Sequence, residues 1–432
     1  MTAALLPSWL QTHVANFSLP YAEPTWLSEY RTEQKAIFLQ QGLPTRRDER
    51  WRYADLSCLE EMSLRGHFSG RSNPENGSPR PLRSLAMTDA NTCIFEDGCF
   101  VSAHFSTVDE KKEIICCSMR DAIIHHESLV KKHWQANVDT KAYPFASLNT
   151  ALFADGLFLY VADNTTLSQP LHLLFLTSDQ QAWMAHPQHL VVLGKNSKLS
   201  VIADYTSNDA TEYWMNSLTK ISLAEQAQLD FCKIQNESSQ AIHIATCLVE
   251  QKKASTANFL NFSFGGRFCR DDLTIMLQED NAVCKTSGLY CLRQDQQYID
   301  HHVDILHHAA HGESEMLYKG ILQKKSRAVF NGKLHVAAAA KKTQAYQANH
   351  HLLLSPTAEA FSKPELEIYA DEVKCKHGAT TGQLDAEALF YLCSRGVPQA
   401  EAERLLLQGF ANDVLQRVNC VDTRQRIQEQ LL

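Results

Sequence analysis

Between about Thr92 and Lys376 the hydrophobic positions come in short bursts separated by polar turns. Leu157–Val161, Leu171–Leu176, Leu190–Leu193, Leu199–Ala203 and Leu218–Leu223 read as strands. So do Asn258–Phe264, Leu273–Leu277, Val329-Phe330, Lys333–Val336 and Leu366–Tyr369. Runs of this length, bounded by turn residues, suit a pleated surface better than a helix face. Long stretches of helical period are scarce here. Many brief strands fit a sandwich, a barrel or a solenoid, and with no crisp residue repeat the hydropathy pattern leaves all three open.

The flanks read differently. From Pro24 to Gln41 the apolar residues Trp26, Leu27, Tyr30, Ile37 and Phe38 fall partly at helical spacing, with Gly42 as the stop. Ser69–Arg83 is polar and rich in breakers (Asn73-Pro74, Asn76-Gly77, Pro79, Pro81), the composition of a linker. After Gly382, Asp385 can N-cap a helix through Leu389, Phe390 and Leu392 that ends at Gly396. Pro398 then opens another helix carrying Leu405, Leu406, Leu407 and Phe410, with Val414, Leu415 and Val418 extending its apolar face. The expected organisation is an N-terminal helical region with linker (1–85), a β core (86–382) and a C-terminal helical region (383–432).

Composition narrows the classes. The 432 residues, 44% hydrophobic and 21% charged, are those of a globular protein with a large core. A net charge of -8 argues against a nucleic-acid binder, so no nucleic-acid partner is expected. No run approaches ~18 consecutive apolar residues, so no membrane span is expected. The first residues lack a basic segment followed by an apolar stretch, which favours a cytoplasmic protein. The 13 cysteines include no C-x-x-C pair, and free, largely buried thiols are expected.

The densest chemistry lies near the end of the β region. Cys375 and His377 stand two residues apart in a strand-like run, so both project from one face. A thiolate and an imidazole together suit a thiophilic metal such as iron, with further ligands from elsewhere. The alternative is a packed thiol beside a surface histidine. A second cluster, His301, His302, His307, His308 and His311, suggests a histidine-rich metal-binding protein, or else a solvated or stacked surface row. His307 and His311 would share a face if this segment were helical. Asp271-Asp272 beside Arg270 is the best carboxylate set for a solenoid carbohydrate-active enzyme, with an ordinary turn as the plain alternative. Gly265-Gly266 and Asn331-Gly332 read as turns. No phosphate loop, nucleophile elbow, H-E-x-x-H or kinase signature is present.

Pro364 to Gly382, followed by Leu389-Phe390-Tyr391-Leu392 and Ser394-Arg395-Gly396, resembles the C-terminal signature of the SufB/SufD family of iron–sulfur cluster assembly scaffolds. Gly42-Leu43-Pro44 with Glu49, Trp51, Arg52 and Tyr53 resembles its N-terminal segment. Phe145, Leu148, Asn149 and Asp155-Gly156 resemble its central one. Tyr318-Lys319-Gly320, Phe330, Gly332, Thr343, Gln347 and Leu352–Ser355 continue in order. The B-type tail reads Glu-His-Glu-Ala-Thr-Thr, whereas this chain has Lys376-His377-Gly378-Ala379-Thr380-Thr381. The stretch Asn349–Ala358, where the B-type carries a functional cysteine, has none. Both departures resemble the D-type.

The resemblance implies a mainly β fold, a right-handed parallel β-helix flanked by helical regions. It implies a non-enzymatic scaffold pairing with a SufB-like subunit at the C-terminal end of the β-helix, the isolated chain being either a homodimer or a monomer. A SufC-like ABC ATPase would dock after about residue 385, through Leu389, Phe390, Arg395, Leu405, Leu406 and Phe410. His377, as metal ligand, and Cys375, as sulfur relay or auxiliary ligand, would help form the site of a transient, shared iron–sulfur cluster. A flavin in the complex is a further implication.

Overall fold

The computed structural model describes residues 6–19, 21–62, 65–66, 91–105, 114–134, 143–177, 183–207 and 211–431. The expected linker at 69–83, and the boundary at 85/86, lie outside the described residues.

From Leu171 onward the chain alternates between two facing sheets. Tyr213–Leu223 lies in the first, Gln228–Asn236 in the second, Ile242–Gln251 in the first again, and so on to Glu359–Ile368 and Lys374–Gly382. Successive coils pair in parallel. Lys233, Asn261, Gly288, Tyr318, Asn349 and Ala379 stack one above another at intervals of 27 to 31 residues. This is a β-solenoid of about seven turns, with helices at both chain ends. The sandwich and the barrel drop out, because a ladder of this kind runs the length of the core and leaves backbone edges only at its ends.

One corner of each coil is turned by a residue in the left-handed region: Asn164, Asn196, Gln226, Ala254, Asn281, His311, Lys342 and Glu372, with φ between 53° and 61°. The first six donate their N–H to the carbonyl just before the next corner residue. The repeat is therefore one of backbone state. Only three of the eight are asparagine, the residue that tolerates this region best after glycine.

Several strands are longer than expected, and some were not expected at all. Val329-Phe330 and Lys333–Val336 form one strand, Arg327–Val336, so Asn331-Gly332 is not a turn. Gln228–Asn236, Ile242–Gln251 and Tyr298–His307 carry polar residues on their inward face, which hides the alternation. Inside the solenoid, Lys233 pairs with Asp271 and lies 3.1 Å from His243, which lies 2.7 Å from Glu237. Burial works to raise the Asp271 carboxyl, but the Lys233 ammonium and His301 outweigh it and hold it down at about 2.

The flanking helices behave as their sequences predict. Thr25–Gln41 ends at Gly42, whose φ of 71° closes it. From this helix Arg31 donates to the carbonyls of Thr150, Ala151 and Phe153 at the end of helix Pro144–Leu152, where orphan acceptors and the negative dipole end favour a cation. Downstream, Arg50 bridges Asp272 and Asp304, and Trp51 covers the fully buried Arg270 at 3.7 Å. Glu49 reaches Lys363 at 2.6 Å and Tyr53 stacks on Phe361, so this segment spans several coils of the first sheet. At the other end of the chain, Gln399–Leu415 and Val421–Glu429 fold back on the second sheet. Ala411, Val414, Leu415, Val418 and Ile427 pack there against Ile202, Ile234, Phe262 and Ile321.

The candidate functional site at the open end of the solenoid

The last two strands, Glu359–Ile368 and Lys374–Gly382, each have a neighbour on one side only. Nearly every residue of Lys374–Gly382 is exposed, Cys375 being the one that is only half so. Its register opposes Cys375 to Ala345 and His377 to Gln347, both buried and inward-facing. Cys375 thus ends the interior row Leu199, Leu229, Ala257, Cys284, Ser314, Ala345. His377 ends the parallel row Val201, Phe231, Phe259, Thr286, Met316, Gln347.

Two residues on one strand face, each with the row behind it filled and the position ahead of it open, set a thiol and an imidazole side by side at the edge. Cys375 still touches the core, and burial pushes its thiol above the ordinary value, with a backbone hydrogen bond at Ala345 working the other way. In the chain by itself it is a thiol. A metal, or a cation brought by another surface, is what would make it a thiolate. Just behind the pair, Tyr290 OH lies 2.6 Å from His351 Nε2, and Asn349 donates to the Tyr318 carbonyl at 3.1 Å. Burial lowers His351 to about 4, which keeps it a neutral hydrogen-bonding ring.

Helix Ala386–Ser394 follows at once, capped by Asp385 Oδ1 accepting from the Glu387 and Ala388 N–H groups, and closed by Gly396 at φ 88°. None of its residues is buried. Phe390 is 75% exposed, beside exposed Tyr391, Arg395 and Leu405. Phe410 differs from these: its ring lies under the Lys319 ammonium against the second sheet, so it anchors the helix to the solenoid. Tyr346, Ile368 and Tyr369 are exposed at the open end as well. The sequence reading missed Tyr346 and took Ile368 and Tyr369 as the end of an ordinary strand. An aromatic residue directly after the last apolar alternation was the available signal.

The other sequence candidates disperse. Asp271 and Asp272 are not in a turn but in strand Phe268–Leu277 and face opposite ways, Asp271 to Lys233 and Asp272 to Arg270 at 2.9 Å. Their carboxylates are tied into ion pairs on either side of a sheet, so they line no common groove. His301 lies inside between the rings of Tyr290 and Tyr318, while His302 lies outside, 2.9 Å from Asp300. His307 is inside, near Ser314 Oγ at 2.9 Å, and His311 is a coil corner. The segment is a strand, so helical spacing does not apply. Its histidines are also no surface row, since His301, His302 and His307 are buried.

Comparison with known sequences gives the family. Residues 175–410 match the family described as SUF system FeS cluster assembly, SufBD core domain, and residues 18–173 match the SufBD protein N-terminal region. An iron–sulfur cluster assembly SufBD family protein of Synechocystis is 32% identical over 396 residues, covering 90% of this chain and 86% of the relative. The iron–sulfur cluster assembly protein SufD of Escherichia coli is 28% identical over 414 residues (94% and 92% covered). That of Bacillus subtilis is 24% identical over 416 residues (94% and 93% covered).

Proposed function

Because the chain belongs to the SufBD family of iron–sulfur cluster assembly proteins, we propose that it is the SufD-type scaffold subunit of a SUF complex, with no catalytic chemistry of its own. The open end of the solenoid pairs with the matching end of a SufB-like subunit, and the nascent cluster is cargo held between them. A neutral imidazole donates a lone pair to iron, which is the role of His377. Cys375, one step along the same face, relays sulfur or adds a thiolate ligand once the partner surface covers it. A SufC-like ATPase docks on the exposed face of helix Ala386–Ser394, with Phe390 as the anchor, and supplies the ATP hydrolysis. No helix among the described residues is long and apolar enough to cross a membrane.

The observation that carries the reading is the end of two filled interior rows, at an unpaired edge, in a thiol and an imidazole on one face. An ordinary structural terminus would end in residues that seal the row. The test is anaerobic co-purification with the SufB-like scaffold and the ATPase, for wild type and His377→Ala, analysed for complex mass, iron and acid-labile sulfide. A wild-type complex holding both, beside an assembled but colourless variant, supports the assignment. Equal iron and sulfide in both would sink it.

A further inference from the structure

The residue behind His377 is placed to control it. In the row Thr286, Met316, Gln347, His377, the side chain of Gln347 is only 4% exposed. Its Nε2 donates to the Gly332 carbonyl at 2.9 Å. A carbonyl can only accept, so this bond fixes which way the amide is turned. Gly332 makes the approach possible, since a Cβ there would lie 2.3 Å from Gln347 Nε2 and 2.8 Å from its Cδ. The amide oxygen, Oε1, is buried and has no partner.

An unpaired buried acceptor costs roughly 1–3 kcal/mol, so its presence at this position asks for a donor. Its neighbours offer none. Asn349 is engaged with Ser362 and the Tyr318 carbonyl, and His351 with Tyr290. Among the described residues His377 has no hydrogen-bond partner, and it is next in the row. Stacked residues of adjoining strands stand about 4.8 Å apart, a separation that side-chain amides and rings bridge with one hydrogen bond.

We propose that Gln347 is a positioning residue for His377: its Oε1 accepts the imidazole N–H and leaves the other ring nitrogen free, facing out of the open end, for iron. This rests on the cluster-site reading of His377 for its purpose, but not for the contact itself. Ligand histidines are held by an acceptor on the far nitrogen in this way, and removing that acceptor costs 10–100-fold in metal affinity. Here the anchoring is double, because the Gly332 carbonyl holds Gln347 while Gln347 holds the ring.

The experiment uses the full chain labelled with 15N-histidine at one alkaline pH, with the His377 signals identified by their loss in His377→Ala. In wild type one tautomer of His377 dominates. Gln347→Met keeps the shape but removes the acceptor, and the tautomer ratio moves toward a mixture. Should the Met variant not fold, Gln347→Asn, which withdraws the oxygen, serves the same comparison. In the anaerobic complex, Gln347→Met retains about tenfold less iron at limiting iron. An unchanged tautomer ratio in Gln347→Met overturns the proposal. If the ratio moves while His377→Ala holds as much iron and sulfide as wild type, the contact stands and the cluster-site reading fails.

Discussion

The two ends of the solenoid are built from the same ladder and finished in opposite ways. At the N-terminal end every residue of Leu171–Thr177 and Gln188–Leu193 is buried. The antiparallel pair Asn91–Glu96 and Cys99–His104 closes one sheet, Ile114–Ser118 closes the other, and helices Met119–His125 and Glu127–Trp134 cover the outside. At the C-terminal end, Lys374–Gly382 has no such cover. A bare edge invites pairing with any other strand, and here it is only blunted, by Pro364 and by Lys374 and Lys376. One end thus carries added strands and packed helices, whereas the described residues leave the other edge bare.

If that contrast is real, substitutions at the closed, packed part should cost stability and those at the open end should cost assembly. Arg270→Ala should have the largest effect. It removes the buried guanidinium between Asp272 and Asp300, leaving Asp272 with Arg50 alone and Asp300 with His302, and the loss should be about 3–5 kcal/mol in urea unfolding. A loss below about 1 kcal/mol would mean that the Trp51 segment holds the sheet without this ion cluster.

Acid comes next. Burial holds His301 and His351 at about 4 and His189 at about 3 in the fold, below the ordinary value of 6.5. The unfolded chain therefore binds protons first on acidification. Stability is complete above pH ~7 and falls as pH drops toward 4, by roughly 2 kcal/mol per histidine at pH 5. Asp271, held at about 2, adds a further loss only below about pH 4. A melting temperature unchanged between pH 7.5 and 5 would contradict this.

The open end should respond the other way round. Phe390→Ala should weaken binding of the ATPase by about 2 kcal/mol, read by titration calorimetry, with the melting temperature unmoved. Smallest of all, His377→Ala should cost no more than about 1 kcal/mol of unfolding free energy, because the side chain is exposed and its bond to Gln347 passes to water. A large loss of stability there would make His377 a structural residue, and the contrast between the two ends would collapse.

The helices, the strand-rich core and the shared face of Cys375 and His377 were all legible in the sequence, because caps, breakers and two-residue alternation are local signals. The architecture was not legible from periodicity. The coil corners repeat a backbone angle that Ala254, Gln226, Lys342 and Glu372 adopt as well as Asn196, so no one letter marks them all. Strands such as Gln228–Asn236 stayed hidden because Lys233 and Gln235 point inward, where an alternation rule expects apolar residues. The resemblance to a known family supplied what the pattern could not. The histidine cluster too was placed by the resemblance, which implies β-helix coils there with His301 and His302 on opposite faces. Consecutive letters suggested one site, while the pleat sends His301 inside and His302 outside.

The corner column has one more consequence. Because each coil is closed by a backbone bend that many side chains accept, and adds about 4.8 Å of height, the solenoid works as a ruler. The number of coils sets how far the Cys375–His377 face stands from the sealed base. Deleting one whole coil, from one corner residue to the next, would lower that face by one strand spacing while leaving both ends chemically intact. Reach could thus be varied without touching Cys375 or His377.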